Sequence, residues 1–109
     1  MTDLAKRKCK PCEGGVAPYT QSQAEELLKQ LKGWILENGR LVKVYPFPNY
    51  YKTMAFVNAL AWISHREDHH PDLTVTYNSC RVEYVTHAIG GLSENDFVCA
   101  AKCDALFEL

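Results

Sequence analysis

The dipeptide Asn38-Gly39 sits between Trp34-Ile35-Leu36-Glu37 and Arg40-Leu41-Val42-Lys43-Val44-Tyr45. Asparagine and glycine readily take the positive φ angles that a type I′ turn demands, and that turn matches the twist of paired strands. A β-hairpin is therefore expected here, and the rest of the chain must cover one face of it. A second hairpin is expected from Leu73 to Tyr77, a turn near Asn78-Ser79, and Arg81 to Thr86. In its second strand Val82 and Tyr84 alternate with Arg81 and Glu83, the pattern of a strand with one face buried.

Three helices fit around these hairpins. The first runs from about Gln21 to Lys32, opened by Thr20 with Gln23 three residues on as a capping box and closed by Gly33. Pro46 and Pro48 break the strand before the second, which Asn49 caps and which extends from Tyr50 to about Asp68, where Pro71 prevents its continuation. Met54, Val57, Leu60, Ala61 and Ser64 lie on one side of it, and Tyr51, Ala55, Ala59 and Trp62 on the other. A helix apolar on both sides is expected to be covered twice, once by its own sheet and once by another subunit. The third helix starts at Ser93, with Asp96 as an approximate capping box and Leu92 against Phe97 as a hydrophobic staple.

The order is α-β-β-α-β-β-α, an α+β fold with a four-stranded antiparallel sheet and three helices packed on one face. Residues 20–109 form one domain, preceded by an irregular arm, residues 1–19, rich in Pro and Gly. A chain of 109 residues with 47% hydrophobic residues has enough apolar side chains for one core and little more. Twelve basic against thirteen acidic residues, with no basic block, do not indicate a nucleic-acid partner. No stretch approaches the ~20 apolar residues of a membrane span, and the N-terminus lacks an apolar signal core, so a cytoplasmic protein is expected. Five cysteines without a secretory signal are read as reduced thiols. The single CxxC, Cys9-Lys10-Pro11-Cys12, has no second pair at zinc-site spacing and is read as a loop with two thiols.

The chemistry lies in the histidines. His65, His69 and His70 fall within six residues at the end of the second helix, and His87 ends a strand. Three readings compete. The first is that they are solvated histidines favoured by a helix C-terminus. The second is that they ligate a metal, because His65 and His69 at i and i+4 have ligand spacing, with His87 as a third ligand and Glu67 or Asp68 nearby. The third is that they exchange protons without a metal, since an imidazole titrates near neutrality.

The run His65-Arg-Glu-Asp-His69-His70-Pro71-Asp-Leu, then Tyr77-Asn78, Thr86-His87, Gly90-Gly91-Leu92-Ser93 and Asp96, resembles the signature of the pterin-4a-carbinolamine dehydratases. That resemblance implies a saddle-like antiparallel sheet, homodimers or homotetramers, and an enzyme that uses neither metal nor cofactor. It implies His69, His70 and His87 as catalytic residues. Asp68 and Asp96 match positions near the family's substrate site. The family often has Glu where this chain has His65, so His65 is given the lesser role of shaping or polarising the pocket. The implied substrate is a 4a-hydroxytetrahydropterin left by an aromatic amino acid hydroxylase, a functional partner by that analogy. Two alternatives remain open: a protein-interaction module acting as a dimerisation cofactor or transcriptional coactivator, and a metal-dependent enzyme built on the histidine cluster.

Overall fold

The structure is a computed structural model describing residues 3–10 and 16–109. Helix α1 spans Gln21–Leu28, strand β1 Ile35–Glu37, β2 Arg40–Pro46, α2 Tyr50–Glu67, β3 Asp72–Val75, β4 Ser79–Tyr84 and α3 Glu94–Phe107. The strands form one antiparallel sheet in the order β1-β2-β4-β3, so the two hairpins lie side by side with β2 and β4 at the centre. The expected α+β architecture is the one observed. Asn38 and Gly39 both take positive φ, 50° and 75°, as the turn requires.

Side-chain alternation divides the sheet. Leu41, Tyr45, Cys80, Val82 and Tyr84 are fully buried beneath the helices, where Phe56 and Leu60 of α2 and Phe97 of α3 join them in one core. The opposite face carries ion pairs, with Arg40 bound to Asp72 and Arg81 bound to both Glu37 and Glu83. Val42 is nevertheless almost completely buried on that face, paired across the strands with Ile35 and Glu83. Long charged side chains cover apolar surface with their stems, which suits this position.

Three details depart from the sequence reading. Helix α1 ends at Leu28 rather than Lys32, because Gln30 and Leu31 donate to carbonyls three residues back and tighten the chain into turns before Gly33. On α2 the buried stripe is Thr53, Phe56, Leu60 and Ser64, whereas Ala61 is exposed. Leu60 and Ser64 lie where expected, with Ser64 Oγ donating to Leu60 O at 2.9 Å, but apolarity alone left out Thr53, whose Oγ1 lies within 3.0 Å of the Asn49 and Tyr77 carbonyls. On α3 the residues from Asn95 to Ala101 are all buried. One of its sides is covered within the chain, because Asp3–Lys6 forms a 3₁₀ turn packed on α3 with Leu4 fully buried. The exposed side of α2 keeps Tyr51 and Trp62 in solvent. No helix among the described residues is long and apolar enough to cross a membrane.

A second polar cluster holds the far end of α3 to the first hairpin. Trp34 Nε1 donates to Asp104 at 3.1 Å, Lys43 Nζ at 2.8 Å and Tyr45 Oη at 2.5 Å. Burial raises the Tyr45 and Tyr84 phenols, and pushes the Cys80 thiol up to about 11 and the Cys103 thiol up to about 12. Each group keeps its proton in the folded chain to a higher pH than in the unfolded chain, so stability is full below the ordinary thiol range and falls above it. The urea midpoint is expected to hold near neutrality and drop progressively from about pH 9 towards pH 12. A midpoint unchanged between pH 8.5 and 11 would contradict this.

Candidate active site

The site forms where the end of α2 meets the loop after β4. Helix α2 terminates at Asp68, which takes the left-handed conformation at φ 51° and ψ 42°. Asp68 N donates to His65 O at 3.3 Å and His69 N to Ser64 O at 3.2 Å, the paired bonds of a Schellman motif. Asp tolerates left-handed backbone better than most residues. The reversal turns His69 inward, with its side chain 10% exposed, while His70 remains exposed ahead of Pro71.

The second arm of the site begins after β4. Thr86 and Gly91 pair through an isolated bridge, Thr86 N donating to Gly91 O at 2.9 Å, and this closes the 3₁₀ turn His87–Ile89. Glycine is required at 91, because a Cβ there would lie 2.6 Å from Cβ of Pro18. The bridge leaves His87 exposed at the start of the turn.

Asp96 joins these elements. Its carboxylate has no exposed surface, and three groups meet it. His69 Nε2 lies 2.7 Å from Oδ1, while Thr86 Oγ1 donates to Oδ2 at 2.7 Å and Ser93 N to Oδ2 at 2.9 Å. Ser93 Oγ lies 2.8 Å from Thr86 Oγ1, and since the Thr86 proton is committed to Asp96, Ser93 is the donor. Towards an ionised carboxylate, which only accepts, Nε2 is the nitrogen of His69 that donates. The ring also stacks on Tyr84, with centroids 5.8 Å apart and planes within 8°. Two contacts thus hold one imidazole in a defined orientation.

His69, His70, His87 and Asp68 line a single cleft of about 540 Å³, together with Arg66, Glu67, Thr86 and Asn95. This volume lies in the usual range for small-molecule sites. Two expected site residues are placed elsewhere. His65 is exposed and outside the cleft lining, because the Schellman turn separates it from His69 despite their i, i+4 spacing. Asp96 lies behind His69, where its carboxylate holds the imidazole, and is absent from the cleft lining. Tyr77 of the sequence signature stacks on Tyr50, away from the cleft lining. Among the described residues, no group of three or more His, Cys, Asp or Glu is arranged to hold a metal ion. Sequence reasoning missed the linking roles of Thr86 and Ser93 and the stacking of Tyr84. It also missed that Cys9 and Lys10 of the arm line the same cleft. The adjacency of Thr86 to His87 was the one signal for the first of these; the arm offered none.

The sequence pattern of the family described as Pterin 4 alpha carbinolamine dehydratase matches residues 17–106. The chain belongs to this family. A protein of Nitrosomonas eutropha, provisionally named a pterin-4-alpha-carbinolamine dehydratase, is 69% identical over 107 residues, covering 97% of this chain and 95% of the relative. One of Dechloromonas aromatica with the same provisional name is 60% identical over 107 residues, covering 98% and 96%. Among solved structures, a transcriptional coactivator/pterin dehydratase from Brucella melitensis superposes with a TM-score of 0.78 at 27% identity, covering 82% of this chain and 97% of its own. A pterin dehydratase-like protein identified as a RuBisCO assembly factor in the alpha-carboxysome gives a TM-score of 0.61 at 26% identity, covering 70% and 90%. The family's name assigns it to the hydro-lyases.

The Asp96 arrangement has a testable energetic consequence. Asp96→Ala strands the Thr86 hydroxyl, the Ser93 amide and the His69 Nε2 proton, and is expected to cost about 2 kcal/mol or more of stability in urea unfolding. Thr86→Val removes one of these bonds and is expected to cost about 1 kcal/mol. Equal losses in the two variants would show that Asp96 does not join the three elements.

Proposed function

We propose that this protein dehydrates a 4a-hydroxytetrahydropterin to the quinonoid dihydropterin by histidine acid-base catalysis, returning the pterin to an aromatic amino acid hydroxylase for reuse. The observation that carries this reading is the convergence of His69, His70 and His87 on one cleft, with the His69 ring held by a buried carboxylate. The reaction breaks the C4a–O bond and forms a C=N bond. Hydroxide leaves poorly, so an acid protonates it as the bond breaks. The lone pair of the adjacent ring nitrogen supplies the electrons, and a base removes the proton that the product no longer carries.

His69 and His87 take the proton-transfer roles, approaching from the helix end and the loop after β4, and His70 binds and orients the pterin. Asp68 contributes a carboxylate to the pterin's polar edge from its place on the cleft wall. A docking role is the second reading. It is favoured by the exposed Tyr51 and Trp62 on α2, a surface that also suits association into a homodimer or homotetramer. A light-scattering mass tests that assembly.

With chelator-treated protein and enzymatically generated 4a-hydroxytetrahydropterin, ultraviolet absorbance is expected to show dehydration faster than the uncatalysed rate. His69→Ala and His87→Ala are each expected to lower kcat by about 10² to 10⁴, and His70→Ala to raise KM with little change in kcat. Circular dichroism melts of His70→Ala and His87→Ala should stay near that of the parent, whereas His69→Ala, which leaves the buried Asp96 Oδ1 without its partner, should still fold but melt lower. Wild-type kcat/KM in all three would refute the assignment, and activity lost to the chelator but restored by metal would favour a metal-dependent enzyme. Asp68→Gly separates folding from binding, because glycine suits the left-handed position at least as well. It is expected to keep the melting temperature while raising KM, and an unchanged KM would remove Asp68 from the binding set.

A further inference from the structure

The arm crosses the edge of the cleft as a short strap gripped from both sides. Cys9 N donates to Glu67 Oε1 at the end of α2 at 2.9 Å, and Lys10 N donates to Asn95 Oδ1 at the start of α3 at 2.9 Å. Asn95 Nδ2 in turn donates to Lys10 O at 2.6 Å. The strap precedes residues 17–106, the part of the chain that the family pattern matches. Beneath it, Cys9 Sγ lies 3.3 Å from Cys99 Sγ on α3.

The two thiols differ. Cys9 is half-buried and lines the cleft, so a small oxidant entering the cleft reaches it, whereas Cys99 is fully buried behind it. The hydrogen bond to Cys9, with burial, raises the Cys99 thiol well above its ordinary value, so Cys99 keeps its proton near neutrality. Cys80 is also buried, and Cys103 lies beside Tyr84 Oη at 3.4 Å. Cys12 lies outside the described residues.

We propose that Cys9 and Cys99 are an oxidisable dithiol, which a hydroperoxide converts to a disulfide that locks the Cys9–Lys10 strap to α3 as a wall of the cleft. In the first step Cys9 sulfur attacks the peroxide oxygen, the O–O bond breaks, and with hydrogen peroxide one water leaves as Cys9 becomes a sulfenic acid. Cys99 sulfur then attacks Cys9 sulfur, the S–O bond breaks, and the Cys99 proton departs with the oxygen as the second water. Two thiols lose two electrons in all, and the peroxide gains them. The sulfurs must close by only about 1.3 Å to reach bonding distance. That small movement pulls against the Glu67 and Asn95 grips, and so alters a wall that the pterin meets. The effect on binding rests on the proposed dehydratase reading; the dithiol does not.

The experiment treats the full-length protein with hydrogen peroxide, alkylates the remaining thiols and maps peptides without reduction. A Cys9–Cys99 link is expected in the parent and in Cys12→Ser, but not in Cys99→Ser. The oxidised parent should melt several degrees higher than the reduced form, because the bond closes a long loop. Its KM for the carbinolamine should rise about fivefold, with kcat nearly unchanged and recovery on adding dithiothreitol. A Cys9–Cys12 link, or no link at all, overturns the dithiol. A Cys9–Cys99 link with unchanged KM in an active enzyme overturns the effect on the cleft. Reduced protein that fails to dehydrate the carbinolamine refutes the dehydratase reading instead, and the peptide map and melting shift still decide the dithiol.

Discussion

A carboxylate with no exposed surface is costly to bury unless its oxygens are occupied, and the local architecture around Asp96 provides that occupancy. It accepts from the backbone at the start of α3, from Thr86 after β4 and from His69 beyond α2, three segments set apart along the chain. The carboxylate therefore draws the two histidine-bearing segments together. The same contact, with the stacking on Tyr84, orients the His69 ring, so one buried carboxylate serves both the fold and the geometry of the cleft.

Helix α3 is fastened by an aspartate towards each end. Asp104 gathers Trp34, Lys43 and Tyr45 from the first hairpin, while Asp96 gathers the cleft. Between them the helix is buried on all sides, with the sheet and α2 on one flank and the arm on another. A helix held in this way has little freedom to slide, which suits a cleft whose histidines stand on elements other than the one that orients them. The chain reversals at Asp68 and at the Thr86–Gly91 bridge are equally local in origin, and each presents a histidine to the cleft just where a regular element ends.

Much of this was legible in the sequence. The Asn38-Gly39 turn, the Thr20 and Ser93 helix starts, and the stops at Pro46 and Pro71 are short-range chemistry, and the elements fell where they indicated within a few residues. The cluster of His65, His69, His70 and His87 stood out through its spacing, and the resemblance to the family singled out the last three. The buried stripe of α2 held Leu60 and Ser64 as expected but also took in Thr53, whose hydroxyl bonds to carbonyls, something a count of apolar residues does not register. His65 resembled a partner of His69 on a continuous helix, yet the left-handed Asp68 breaks that register.

By itself the sequence determined the identity of the secondary elements, their antiparallel pairing and the family signature. The elements and the hairpin pairings depend on neighbours a few residues apart, where backbone sterics, capping and turn preference act directly, and the signature is a set of short motifs at fixed spacing from His65 to Asp96. Tertiary structure alone decided that Asp96 faces His69 across 27 positions, and that Cys9 meets Cys99 across 90. Such contacts are selected by the packing of whole elements and the need to satisfy buried polar groups. No local pattern in either partner encodes them.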